Sequence, residues 1–491
     1  MTFSYETDQQ ATIRQAVASN PSQNYLISAL AGTGKTSTLL AVCPTDAPVL
    51  ALAFNKRIQE ELAGRFPSNA VCKTFNGFGH GVLQKYLGSR PRVQQNKGYQ
   101  IARGVVEDLG GGHLWKQLAD IMTLAQAAKQ QGIVPQGASP LPSKPLASDT
   151  SSVWQALAEQ EDISPDCIEP ARQCLIASIQ QAFAKTIDFA DQLYMPAVFR
   201  MPFPRSQYAH IIVDEAQDLG PLEHAMVELT AGGRRPARLL VAGDTRQSIY
   251  QWRGALADSM PRLAALSDPP AQELPLTKTF RCPQRVVAEA QRIVPTYEAM
   301  PNAPLGEVSS WGSDWTPADL PSNSAILCRT NAPLFRLAMQ LIRSRKPCRM
   351  LGRDIGAGLK RRIKLLTNNQ HTSKHRLAAL VEDWRNSETE KALAADDRAK
   401  AKKIEDQAAS LLAIVDETAG STQAAQLIGT LFGKDSKGLV LSTIHKAKGL
   451  EWPNVFLLDK NKIGTTEEEQ NLEYVAITRA LETLTYLESQ P

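Results

Sequence analysis

The stretch YLISALAGTGKTST, Tyr25 to Thr38, decides the fold class of this chain. Its first six residues are an apolar run of strand length, and its last four open a helical pattern with KTST. Between them Gly32 and Gly34 let the backbone turn tightly and come close to a bound group. A strand, a glycine-rich turn and a helix opening with Gly-Lys-Thr make a phosphate cradle. The loop Ala31, Gly32, Thr33 and Gly34 and the first helical residues Lys35, Thr36 and Ser37 offer backbone N–H groups. Lys35 adds a charge, and the Thr36 hydroxyl is placed to reach Mg²⁺. The usual first glycine of this pattern is Ala29 here.

Other runs repeat the strand signal. VLALAF (49–54), AVCKTF (70–75), HIIVDEA (210–216) and RLLVAG (238–243) are short, apolar and end in small or polar residues. Alternating with helical patterns, they predict a parallel sheet with helices on both faces. A later set, ELPLT (273–277), AILCR (325–329), GLVLST (438–443) and NVFLLD (454–459), predicts a second α/β domain in tandem. Two stretches, about 91–200 and 351–431, carry Ala, Gln and Leu at helical spacing and lack such runs. The expected organisation is therefore 1–90 plus 200–272 for the first α/β domain and 273–350 plus 432–491 for the second. Helical insertions occupy 91–199 and, shorter, 351–431.

The bulk numbers agree. A chain of 491 residues exceeds one core. Hydrophobic content of 43% and charged content of 21% are those of a folded protein, and a net charge of +4 permits a nucleic-acid partner without arguing for one. Seven cysteines form no CxxC pair or zinc spacing and read as buried thiols in a reducing compartment. No apolar run approaches the ~18 residues of a membrane span, and MTFSYETDQQ lacks the features of a Sec-type signal. The expectation is a cytoplasmic protein with no membrane partner.

IIVDEAQD (211–218) ends a second strand on Asp214 and Glu215. A carboxylate there can hold Mg²⁺ together with Thr36, and the neighbouring glutamate can polarise the water that attacks a terminal phosphate. The two motifs together point to a nucleoside triphosphatase. A third strand tip, GDTRQSIYQWRGA (243–255), delivers Gln247, Tyr250, Trp252 and Arg253 within about ten residues, more than ordinary surface needs.

At this point the sequence resembles a superfamily 1 DNA helicase of the UvrD/Rep/PcrA type, with ordered motifs running nearly end to end. TDQQATIRQAV is similar to the family's adenine-reading pattern and points to Gln10. AFNKR (53–57) and KTFNGFGH (73–80) match two early DNA-contact motifs, which implies roles for Asn55, Lys56, Thr74 and Phe75. LTKTFRCP (276–283) resembles the motif that stacks an aromatic on adenine and sends an arginine toward the γ-phosphate, here Phe280 and Arg281. STIHKAKGLEW (442–452) implies that Thr443 and His445 approach the DNA backbone and that Glu451 touches the nucleotide sugar. YVAITRA (474–480) implies a second arginine finger at Arg479. The sequence departs from the family in having TFRCP where many members carry an Asn-Tyr-Arg-Ser pattern, Glu223 at a position often Gln, and a short second insertion.

The resemblance implies two tandem RecA-like domains of α/β class. ATP and Mg²⁺ would bind in a cleft that takes Lys35, Thr36, Asp214 and Glu215 from one domain and Arg281 and Arg479 from the other. Closure and opening would step the protein 3′ to 5′ along single-stranded DNA, as a monomer, up to junctions with duplex. Gln247 is expected to sense the γ-phosphate or its water, with Tyr250 and Trp252 meeting bases. Arg253 either reaches a phosphate or braces the segment against a carboxylate, and the residues leave both open. The alternatives are a translocase that strips proteins or recombination filaments with little unwinding, and a DNA-binding subunit gated by nucleotide.

Overall fold

The computed structural model describes residues 6–139, 142–161, 163–204, 206–232, 236–250, 254–394, 398–433 and 438–489. The chain divides into two compact units, one reaching Leu30 and resuming over Gly34–Leu276, the other made of Ala31–Thr33 and the chain from Thr277 onward.

In chain order the strands of the first unit are β1 (Tyr25–Ala29), β2 (Val49–Ala53), β3 (Ala70–Thr74), β4 (Arg92–Val93), β5 (Thr186–Ile187), β6 (His210–Val213), β7 (Arg238–Gly243) and β8 (Gln272–Leu276). Six of them form a sheet in the order β3-β2-β6-β7-β1-β8, and every pairing is parallel. β4 and β5 make a separate short pair. The apolar runs are continuous because both faces of the sheet are covered. Leu26, Leu50, Leu52, Ile211, Val213, Leu239 and Val241 enter one core, and their neighbours Ile27, Val49, Ala51, Ala53, Ile212, Leu240 and Ala242 enter the other.

One expectation changes here. The run ELPLT is expected in the second domain, but β8 pairs with β1 at the edge of the first sheet, so the boundary falls after Leu276. Its alternating burial and Pro275 suit an edge strand. The helical insertion expected over 91–199 shares one core with the sheet, in which Ile101, Leu124, Trp154 and Ile179 join Leu50 and Val213. Its last helix, Asp191–Val198, packs against Phe75–Leu87 and Pro221–Ala231, the helices of the first sheet.

The second unit holds a short parallel pair, β9 (Lys278–Thr279) with β10 (Glu298–Ala299). Its main sheet comprises β11 (Glu307–Ser310), β12 (Ser324–Cys328), β13 (Cys348–Met350), β14 (Leu439–Thr443), β15 (Trp452–Leu458) and β16 (Ala480–Leu487). Their order is β11-β16-β15-β12-β14-β13, again all parallel. The helical insertion 351–431 contains a pair of helices, Lys374–Ala394 beside Arg398–Asp416, flanked by Arg353–Leu366 and Ser421–Leu431. Leu377, Val381, Leu411 and Ile414 of the pair belong to the same core as Ile326 and Leu441 of the sheet.

Candidate nucleotide and nucleic-acid sites

Sheet geometry places the first constellation. Parallel strands deliver their C-terminal ends to one edge, where loops lead into helix N-termini. After β1 the chain turns through Gly32 (φ 69°) and Gly34 (φ 81°), and Gly34 caps the helix Lys35–Ala41. Lys35 Nζ lies 2.7 Å from Glu215 Oε1 and 3.1 Å from Asp214 Oδ1. The Thr36 hydroxyl donates to Asp214 Oδ2 at 3.3 Å. Burial alone would depress the Lys35 ammonium, but the Asp214 and Glu215 carboxylates outweigh it and hold its pKa above the ordinary value. Burial raises Asp214 against the pull of Lys35. Glu215 sits in the left-handed region (φ 55°), rare for a residue with a Cβ and a mark of functional segments.

The oxygens of Thr36 and Asp214 fit Mg²⁺, a hard cation that takes few protein ligands and completes its shell with phosphate and water. Among the described residues no group of three or more His, Cys, Asp or Glu is arranged to hold a metal. Gln10 is buried at the start of the first helix. Its Nε2 donates to Thr38 Oγ1 at 3.1 Å and its Oε1 accepts the Thr7 N–H at 3.1 Å, tying that helix to the phosphate-loop helix. Ser37 Oγ accepts from Arg65 Nη2 at 3.0 Å.

Gln247 is connected to this group through two residues that sequence reasoning did not single out. Gln217 Nε2 donates to Glu215 Oε2 at 2.5 Å, and Gln217 Oε1 accepts the Asp244 N–H at 3.0 Å. Asp244 Oδ2 accepts from Gln247 Nε2 at 2.6 Å, and its Oδ1 accepts the Arg246 N–H at 3.0 Å. Burial pushes the Asp244 carboxyl up to about 6, only partly offset by the Gln247 hydrogen bond. Both residues stood inside quoted motifs, DEAQD and GDTRQ. What hid them was that their partners lie on another loop.

Tyr250, three residues after Gln247, stacks on Phe54 with ring centroids 6.3 Å apart and an interplanar angle of 15°. Phe54 belongs to the AFNKR motif. Among the other residues assigned to DNA, Asn55 caps the helix Lys56–Arg65 by accepting the Ile58 N–H at 2.9 Å, and Lys56 lies exposed beside Gln59 and Glu60. Thr74 caps the next helix by accepting the Gly77 N–H at 3.0 Å. Phe75 is a correction: it is 2% exposed and packs in the core with Phe78 and Val82, so its ring has no surface for a base. Trp252 and Arg253 lie outside the described residues.

The second unit gathers its own set. Phe280 presents an exposed ring, 45% accessible. Its N–H donates to the Gly32 carbonyl at 2.9 Å, and the Ala31 N–H donates to Tyr474 Oη at 3.0 Å, which is how Ala31–Thr33 come to belong to this unit. Arg281 Nε is 2.7 Å from Glu451 Oε2. Arg479 is 1% exposed, with its guanidinium on the carbonyls of Val475 (2.9 Å) and Leu450 (3.2 Å) and on Thr478 Oγ1 (3.1 Å). Burial, and then the Arg281 charge, lower it to about 10, which leaves it cationic at neutral pH. Thr443 ends β14 and precedes His445, whose imidazole burial and the nearby Arg329 lower to about 4, so it is neutral.

Two family models match the chain. The model of the UvrD/REP helicase N-terminal domain matches residues 9–265, and that of the UvrD-like helicase C-terminal domain matches 361–489. F-box DNA helicase protein 1 of Schizosaccharomyces pombe is 26% identical over 517 residues, covering 94% of this chain and 55% of that protein. DNA helicase II of Salmonella typhimurium is 26% identical over 310 residues, covering 57% of this chain and 39% of that protein. F-box DNA helicase 1 of Gallus gallus is 23% identical and covers 92% and 46% respectively. The chain thus spans about half the length of the curated relatives it matches.

Proposed function

Since the chain belongs to the UvrD/Rep helicase family, we propose that it is an ATP-driven motor that moves 3′ to 5′ along single-stranded DNA and unwinds duplex at junctions. The observation that carries this reading is the convergence of Lys35, Thr36, Asp214 and Glu215 at the tips of two strands of one sheet. The nucleotide phosphates take the N-terminus of the helix Lys35–Ala41, and Lys35 exchanges its carboxylate partners for phosphate oxygens. Thr36 and Asp214 would hold Mg²⁺, which supplies positive charge against the phosphates.

Glu215, released from Lys35, orients the attacking water and takes its proton, with Gln247 at hand for the same water. Arg281 and Arg479 stabilise the charge on the transferring phosphoryl group, a contribution of about 10³–10⁵ in rate for such arginines. Phe280 offers its exposed ring to the adenine, Glu451 its carboxylate to the sugar, and Gln10 its carboxamide to the base edge. On the DNA side Phe54 and Tyr250 stack on bases. Asn55, Lys56, Thr74, Thr443 and the neutral His445 meet the backbone, and Trp252 and Arg253 extend the same strand-tip segment. Stacking contributes about 1–3 kcal/mol per base and backbone neutralisation makes the affinity salt-dependent.

The test is ATP-dependent strand separation on duplexes with a 3′ or a 5′ single-stranded tail. Unwinding of the 3′-tailed substrate alone is expected. Unwinding from the 5′ tail would reverse the polarity. Displacement of a bound protein without strand separation would replace unwinding by translocation, and no ATP-dependent action on either substrate would refute the motor.

A further inference from the structure

Two tyrosine hydroxyls hold a single residue of the phosphate loop. Ala31–Thr33 belong to the same compact unit as Tyr297 and Tyr474. Tyr297 Oη donates to the Ala31 carbonyl at 2.8 Å, and Tyr474 Oη accepts the Ala31 N–H at 3.0 Å. Both tyrosines are 0% exposed, and their rings meet edge to face at 5.6 Å. Burial holds the Tyr297 phenol well above its ordinary pKa, so it stays a donor, and the Thr279 hydroxyl hydrogen-bonds the same oxygen. Next along the loop, the Gly32 carbonyl accepts the Phe280 N–H at 2.9 Å. None of the roles assigned above uses either tyrosine.

The peptide that joins Ala31 to Gly32 is planar and trans, so its carbonyl and its N–H point in opposite directions. With the carbonyl on Tyr297, the Gly32 N–H is turned away from the tyrosines. The hold matters because the loop has a loose joint at this point. A Cβ on Gly32 would lie 2.5 Å from Arg281 Cβ and 2.6 Å from Thr279 Oγ1, which leaves no room for a side chain. Glycine takes either sign of φ with ease, so the peptide could flip away from the observed 69°. A flip would aim the Ala31 carbonyl, with its partial negative charge, where the Gly32 N–H now points. The Ala31 N–H, expected among the phosphate donors, is instead spent on Tyr474. We propose that Tyr297 and Tyr474 are positioning residues of the phosphate cradle. They fix both backbone groups of Ala31 so that Gly32 presents the first N–H to the nucleotide phosphates. The inference deepens the reading of Lys35 and its loop as a nucleotide site and rests on it.

Calorimetric titration of the full chain with MgADP reads the cradle, and a fluorescent oligothymidylate titrated without nucleotide reports on the rest of the protein. Tyr297→Phe keeps the ring and removes the donor. It should weaken MgADP binding by about tenfold or more, the scale of one hydrogen bond to a charged group. Its oligothymidylate affinity should be that of the unaltered protein. Tyr474→Phe removes the acceptor of the Ala31 N–H. It should weaken MgADP in the same direction, and it decides the matter if the first variant does not fold. MgADP affinity retained by either folded variant overturns the positioning role. A matching fall in oligothymidylate affinity overturns it as well, since the tyrosines would then be packing residues of the whole unit. An unaltered protein that binds no MgADP overturns the nucleotide reading itself, and this inference with it.

Discussion

Two lysine–carboxylate clusters lie in the first unit, built from nearly the same residue types at the same distances. Lys35 meets Glu215 at 2.7 Å and Asp214 at 3.1 Å. In the helical region Lys97 meets Asp191 at 2.6 Å, while Lys129 meets Asp191 at 2.7 Å and Asp188 at 2.9 Å. Ion pairing therefore does not tell them apart; the backbone around them does. The first cluster stands at strand tips, beside left-handed Gly34 and Glu215, at a helix N-terminus, and the Glu215 side chain is a quarter exposed. The second is closed: Lys97 and Asp191 are 0% exposed, Lys97 also donates to the Ser178 carbonyl, and Lys129 to Ser178 Oγ. Asp188 and Asp191 each accept the other's backbone N–H at 2.8 Å. A closed cluster fixes helices in place, whereas an open one can trade a partner for a ligand.

The sharpest way to break this comparison is to remove one cation from each. Lys97→Met leaves Asp191 short of a partner in a fully buried site, and should cost about 3–5 kcal/mol of stability in denaturant unfolding. ATPase activity below the melting temperature should remain. Lys35→Ala should do the reverse, lowering ATP turnover by about 10²–10³-fold, the scale of one lost transition-state charge contact, with a smaller loss of stability than the Lys97 change. If Lys35→Ala were the more destabilising and Lys97→Met the more damaging to turnover, the distinction between open and closed clusters would fail.

How far this was legible in the sequence follows from the same physics. The inner strands of both sheets declared themselves because burial on two faces demands continuous apolar runs, as in VLALA and RLLVA. β16, ALETLTYL, gives no continuous apolar run because it interleaves polar and apolar residues, and the preceding YVAITRA reads as a helix end. ELPLT reads as a strand, but its pattern carries no label for its neighbour, and it pairs in the first sheet rather than the second. At the site, Lys35, Thr36, Asp214 and Glu215 follow from local spacing. Gln217 and Asp244 do not, because their hydrogen bond exists only where Gly243 lets two strand tips approach. Phe75 shows the opposite failure, in which a motif position suggested contact with DNA while the first turn of its helix directs the ring inward.

Asp244 sharpens the comparison further, because it is as buried as Asp191 but is held by an amide and a backbone N–H where Asp191 has two ammonium groups. Its folded pKa of about 6 lies above the ordinary carboxyl value of ~3.9, so the folded state binds that proton more tightly than the unfolded chain does. The resulting stability is fully present below about pH 4 and is lost as pH rises through 6, after which ionised Asp244 costs up to about 3 kcal/mol. Asp244→Asn removes the charge and keeps the shape. The variant should match the unaltered protein near pH 4, gain on it as pH rises toward 6, and keep a constant advantage above that. Denaturant unfolding at pH 5, 6.5 and 8 reads the gap directly. A gap that does not change with pH would mean that Asp244 is ionised throughout, with Lys35 supporting it as the lysines support Asp191. The two clusters would then differ in openness alone.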